Sequence, residues 1–228
     1  MRRGFTLIDV LVTLAVISVL LSILMPSLSS VRETARQVVC RSNVRQVGIG
    51  LVLYAEAYQD RVPYSGFLEG PNPTPHETVI LRRVAPDSWD GAGHLYDDYM
   101  AAPQVFYCPS HRGSHPYRAY ADAWMLGAGL IVGNFQYRGK APIDGGATTA
   151  LTSRLGAMRP GTTLLVDGFR TAVEFNHGVG ANRFRADASV SWFGDRVNGG
   201  IVSLLPKDDQ SGIVSPQVVE DIWEELDR

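Results

Sequence analysis

Cysteine is scarce in this chain: Cys40 and Cys108 are the only two among 228 residues. That excludes a disulfide-framework mini-protein and a four-cysteine zinc module. Charge is thin as well, with 19% charged residues and a net charge of −2 from 21 basic and 23 acidic side chains. No global positive field is available to attract nucleic acid, so none is expected as a partner. There is no internal repeat and no low-complexity tract. A nucleophile elbow, a phosphate-binding glycine loop and an HExxH pair are all missing, so neither an enzyme nor a cofactor is expected. With 45% hydrophobic residues the chain is not disordered, and its length suits one compact domain plus a tail.

What the sequence does have is a long uncharged block. From Val10 to Val31 no residue carries a charge, and from Phe5 to Met25 only Asp9 does. A helix of that second stretch would be about 31 Å long, the thickness of a bilayer's hydrocarbon core. It is apolar all round, as suits lipid or the middle of a helical assembly. A plain anchor has no use for an acid four residues into the span. A secretory signal peptide has the basic start, and Ser27-Leu28-Ser29 passes as a small-x-small cleavage site. For that reading the apolar run is long.

The opening residues Arg2-Arg3-Gly4-Phe5-Thr6-Leu7-Ile8-Asp9 closely resemble the class III signal of type IV pilins and type II secretion pseudopilins. The resemblance implies that a prepilin peptidase cuts after Gly4 and that the new N-terminus, Phe5, is methylated. It implies an assembly role for Asp9, whose carboxylate would be neutralised by the N-terminal amine of a neighbouring subunit. A buried acid lacking such a partner would be very costly. The family nearly always has glutamate at this place, and aspartate is one methylene shorter. A tolerated acid near the cytoplasmic headgroups is the plainer alternative. Arg2 and Arg3 favour a cytoplasmic N-terminus, but Arg32, Arg36, Arg41 and Arg45 follow the span closely, so orientation rests on the resemblance.

Pro26 ends the apolar run, and a kink is expected there. Beyond it Val31, Ala35 and Val38, then Val44, Val47, Leu51, Tyr54 and Tyr58, recur at helical spacing and predict one apolar face, weakened by Gly48 and Gly50. The four arginines form either a solvated face near anionic headgroups or contacts to acidic groups of neighbouring subunits. Ala35-Arg36, Cys40 and Arg41-Ser42-Asn43-Val44-Arg45-Gln46-Val47-Gly48 look like the stem of a large pilin-like family abundant in planctomycetes.

Six of the fourteen residues from Val62 to Pro75 are glycine or proline, which marks a loop leaving the stem. From Leu81 to Ala150 no regular pattern emerges. Strands are predicted at Thr162–Val166, Ala172–Phe175, Arg183–Ala186 and Ser189–Phe193, and a short acidic helix at Pro216–Arg228. His177 and Asp187 resemble the C-terminal His-x9-Asp-Gly signature of the same pilin-like family, with Ala188 replacing the glycine. Because alanine takes positive φ at a cost, a different turn type is expected. The His177–Asp187 pair is a structural hydrogen bond pinning a glycine-rich loop to a hairpin, a metal- or ligand-binding couple, or a catalytic couple. Cys108, His111 and His115 have C-x2-H-x3-H spacing but no evident fourth ligand, so no metal is expected there. The extracytoplasmic head implied by the resemblance would allow Cys40 and Cys108 to form a disulfide. The acid pairs Asp97-Asp98 and Asp208-Asp209 read as solvated.

The expected fold is therefore α+β and pilin-like: a long N-terminal helix, membrane-inserted and then amphipathic, packed on a small antiparallel-sheet head. The expected segments are a leader at 1–4, a transmembrane helix at 5–25, a stem at 26–60 and an extracytoplasmic head at 61–228. The resemblance implies a structural subunit of the bacterial inner membrane, processed by the prepilin peptidase. It would join other pilin or pseudopilin subunits in a type II secretion or type IV pilus-like filament. The rival reading is a membrane-anchored ligand- or metal-binding domain that uses the same export route.

Overall fold

A computed structural model describes residues 7–69, 71–139, 153–195, 199–208 and 211–228. Its first element, helix α1, runs from Leu7 to Ala57 as one piece of 51 residues. At 1.5 Å per residue it is about 77 Å long. The helix continues through Pro26 without ending there. Its most apolar window has a mean hydropathy of 2.7 and none of it is buried, so α1 is long and apolar enough to cross a membrane. Gly4 and Phe5 lie outside the described residues; Asp9 stands exposed in the first turn.

The last third of α1 buries its apolar side chains on the head, through Cys40, Val44, Val47, Gly48, Leu51 and Ala55, and Glu33 reaches the head earlier as a polar contact. The expected single face is thus wrong in its first half: Val31 and Val38 remain 63% and 65% exposed. The reason is phase. Six residues separate Val38 from Val44, about 600° of rotation at 3.6 residues per turn, so the two apolar series point to different sides.

Among the described residues the head carries two antiparallel sheets. Strands β1 (Ile80–Arg83), β2 (Ser88–Trp89) and β3 (Ile131–Val132) form the smaller, in the order β2-β1-β3. This sheet lies in the stretch that showed no regular pattern, because its strands are too short for any period to register. The stretch also contains a one-and-a-half-turn helix, α2 (Ala121–Leu126), and the aromatic cluster of Trp89, Tyr96, Phe106 and Trp124. The larger sheet runs β4-β5-β6-β7, from Phe135–Tyr137, Thr163–Asp167, Gly180–Arg185 and Val190–Gly194. Three of the four predicted strands belong to it. Ala172–Phe175 does not: Thr171 accepts backbone hydrogen bonds from Glu174 and Phe175, coiling the segment into turns.

The larger sheet is covered on both faces. Leu165 and Phe184 face the core shared with α1. Val166 and Ala181 face a second core built from α3 (Ile201–Leu204) and α4 (Pro216–Asp227). Helix α4 opens with Pro216 in its first turn, as the sequence predicts, and the structure adds a cap, Ser215 Oγ accepting from the Val218 amide. It buries Val219, Ile222, Trp223 and Leu226. Its far end is held by Asp227, which pairs with buried Arg138 at 2.7 Å and accepts from the Thr163 amide at 2.7 Å.

Candidate functional site: a buried Cys/Cys/Asp/His cluster

Where α1 first enters the head, four functional side chains converge from four separate segments. Cys40 is the first fully buried residue of α1, and three residues on, Asn43 lies on nearly the same side of the helix. Asn43 Nδ2 donates to the carbonyl of Tyr107 at 3.0 Å and so holds the loop that carries Cys108. The Cys108 amide in turn donates to Asn134 Oδ1. Asp167 ends β5, and His177 sits in the loop leading to β6. The ligand-type atoms of Cys40, Cys108, Asp167 and His177 all lie within 4.8 Å of one another.

Their individual contacts are close. Cys40 Sγ donates to Asp167 Oδ1 at 2.8 Å, His177 Nε2 lies 3.5 Å from Asp167 Oδ2, and Cys108 Sγ lies 3.6 Å from His177 Nε2. A surrounding layer of polar groups orients the four. His177 Nδ1 meets Glu33 Oε1 at 2.9 Å, and Ser110 Oγ donates to the same oxygen at 2.7 Å. Asp167 Oδ2 accepts from the backbone and side-chain nitrogens of Asn182, and Cys108 Sγ accepts from the Ser110 amide. Trp192 closes one side, its ring 5.7 Å from the imidazole.

Burial sets the electrostatics. It pushes the Cys40 thiol far up, helped by Cys108 and the Asp167 carboxylate. It also raises Asp167 despite the nearby His177 and the hydrogen bonds from Cys40 and Asn182. For Cys108 burial is outweighed by the hydrogen bonds from Cys40 and His177, and the thiol titrates below its ordinary value. Burial likewise works against a charge on His177, but Cys108, Asp167 and Glu33 prevail and lift it to about 9. Glu33, against its own desolvation, is lowered by His177 and Ser110. Such a set can act as a thiolate–imidazolium pair, close into a disulfide, or serve as four soft and borderline donors to a cation.

This arrangement changes the sequence-derived pairings. His177 does not pair with Asp187; its carboxylate neighbours are Asp167 and Glu33. Asp187 belongs to the β6–β7 hairpin, where its Oδ1 accepts from the Ser189 amide at 2.9 Å. The Ala188 amide donates to the Arg185 carbonyl, and Ala188 has φ +62°. The turn is thus of a different type from a two-residue hairpin turn, as expected, but alanine still takes the positive φ within it. Nor do His111 and His115 join Cys108. His111 Nδ1 meets Asn176 Oδ1 at 2.8 Å, while His115 contacts Tyr120 and Arg170. Cys40 and Cys108 do meet, as free thiols. Sequence reasoning missed Asp167 and Glu33. The available signal for Asp167 was a lone acid closing the apolar run Leu164-Leu165-Val166.

Comparison with known families now bears on these residues. The family described as "Protein of unknown function (DUF1559)" matches residues 29–163, more than half of the chain. The chain belongs to this family. The matched stretch contains Glu33, Cys40, Asn43 and Cys108, while Asp167 and His177 lie beyond its end. A second match, to the prokaryotic N-terminal methylation motif, covers residues 1–25 and thus Gly4, Phe5 and Asp9. Together the two mark this member of the family as a type IV pilin-like protein, processed by a prepilin peptidase. With its apolar N-terminal helix, it fits an inner-membrane-anchored protein. No curated protein and no solved structure matches the chain.

Proposed function

We propose that this protein is a structural subunit of a pilin-like filament, of the type II secretion or type IV pilus kind. It is held in the inner membrane with its head on the extracytoplasmic side until assembly. One observation carries the reading: α1 leaves its apolar half wholly unburied, with Leu7, Ile8, Leu11, Leu14, Ile23 and Leu24 each at least 58% exposed. Each such side chain gains roughly 1.5–3 kcal/mol on leaving water. So long a run is stable only in lipid or among other stems. Val31, Val38 and Val39, each at least half exposed, extend the apolar surface beyond the span and offer it to neighbouring stems. The function is assembly rather than chemistry: stems pack side by side, and Asp9 fixes their axial register against the Phe5 amine of an adjacent copy.

Processing and assembly are tested separately. Mass spectrometry of the mature chain should find an N-terminus at methylated Phe5, cut after Gly4. A start near Ser30 would instead reveal an ordinary secretory signal. Asp9→Ala should still insert and be processed but fail to cross-link to other subunits in cells that carry the assembly machinery, since breaking a buried charge pair costs about 3–5 kcal/mol. Asp9→Glu should assemble at least as well as the parent. Undiminished cross-linking of Asp9→Ala would remove the acid's assembly role and favour the membrane-anchored binding domain. The buried cluster gives that second reading its support.

A further inference from the structure

We propose that Cys40, Cys108, Asp167 and His177 form a structural zinc site that fastens the stem helix to the head. Zinc favours four tetrahedral ligands drawn from thiolate, imidazole and carboxylate, at about 2.3 Å to sulfur and about 2.0–2.2 Å to nitrogen and oxygen. In that geometry neighbouring donor atoms stand about 3.4–3.8 Å apart. The separation of Cys108 Sγ from His177 Nε2 is 3.6 Å and that of His177 Nε2 from Asp167 Oδ2 is 3.5 Å. Cys40 Sγ, at 2.8 Å from Asp167 Oδ1, has to draw back to admit the ion.

The surroundings suit a metal. Ligating histidines commonly give their second nitrogen to a carboxylate, which fixes the ring and leaves the other nitrogen's lone pair for the ion. Glu33 occupies that position against His177 Nδ1. Ligating carboxylates and thiolates are themselves hydrogen-bonded, as Asp167 is by Asn182 and Cys108 by the Ser110 amide. The Asp167 and His177 side chains are fully buried, and Cys40 and Cys108 are 0% and 4% exposed. A divalent cation compensates for gathering two thiols and an acid out of water. Four protein donors close the coordination sphere, which is the pattern of a structural rather than a catalytic zinc.

Position gives the site its consequence. Before Cys40 no described residue of α1 is buried, so the cluster sits at the membrane-proximal edge of the head. A metal there ties the stem to β5, to the Cys108 loop and to the His177 loop at once. The proposal stands or falls independently of filament assembly.

The test uses the full chain, purified in detergent without chelator. Elemental analysis should find stoichiometric zinc. After metal removal under reducing conditions, added Co2+ should produce the visible bands of a tetrahedral ion and near-ultraviolet thiolate charge transfer. Cys108→Ser, Asp167→Asn and His177→Gln should each lose the metal, with near-ultraviolet circular dichroism reporting whether the head is folded. Glu33→Gln should keep it at roughly 10–100-fold weaker affinity. Asp187→Asn should bind like the parent, because Asp187 is not part of the cluster. Two results would overturn the proposal. One is a folded chain with both thiols titratable that takes up neither Zn2+ nor Co2+. The other is an intact mass showing Cys40 and Cys108 joined as a disulfide in the chain as isolated from cells.

Discussion

At Gly48 the stem lies tightly against the head, and replacing it with alanine tests how the two are docked. A Cβ built there would lie 2.2–2.4 Å from three ring carbons of Phe184. Carbon atoms in contact sit about 3.5–4.0 Å apart, so the ring would have to retreat by more than about 1 Å. It has little room to do so. Phe184 is 0% exposed in β6 and is paired with Leu165 of β5 on one side and Val190 of β7 on the other. Overpacking of this kind costs typically 1–3 kcal/mol, and the severity of the overlap puts Gly48→Ala at the upper end. Alanine recovers about 1 kcal/mol of helix propensity over glycine, leaving a net loss of about 2 kcal/mol. For a head of this size the melting temperature should fall by roughly 4–8 °C. All four tryptophans lie in the head, so their fluorescence follows its unfolding without interference from the membrane half of α1. Phe184→Leu alone should also destabilise, by leaving a cavity. The double variant should be more stable than the sum of the two predicts, with a coupling above about 1 kcal/mol. If Gly48→Ala melts at or above the parent temperature, α1 does not lie against Phe184 and the docking argued above is wrong.

Two further substitutions probe the head. Ala188 holds φ +62° in the β6–β7 turn, a conformation that costs a non-glycine residue roughly 1–2 kcal/mol. Ala188→Gly should therefore gain up to about 1 kcal/mol in thermal unfolding, after glycine's greater chain entropy is subtracted; unchanged or lowered stability would refute the assignment of strain. Asp227→Ala strips buried Arg138 of its carboxylate and the Thr163 amide of its acceptor. Asp227 is itself a quarter exposed, so the loss should be about 3 kcal/mol, near the lower end for a broken buried pair, and protease sensitivity at α4 should rise.

The parts legible in the sequence were those whose physics is local. The methylation motif, the uncharged run of α1, the proline-opened helix α4 and the β5, β6 and β7 strands each depend on residues close together along the chain. The same local view explained Gly48 only as a weak helix former, and it merged the Val31–Val38 and Val44–Leu51 series into one face. Which of two apolar series is buried depends on what the helix meets, and that partner, Phe184, is more than a hundred residues away.

The cluster shows the same division more sharply. Cys40, Cys108 and His177 were visible as residues capable of chemistry, but His177 was assigned to Asp187 because the spacing matched a signature. In the folded chain Asp187 faces its own turn through Ser189, while Asp167 arrives from the neighbouring strand and Glu33 from the stem. Spacing along a chain reports distance in space only within one helix, strand or turn. Sequence alone determined that an apolar helix with a prepilin-type start precedes a small mixed head. Tertiary structure alone decided which thiols, carboxylates and imidazole share a site, because four segments separated by up to 137 residues (177 − 40) meet only when α1 docks on the sheet.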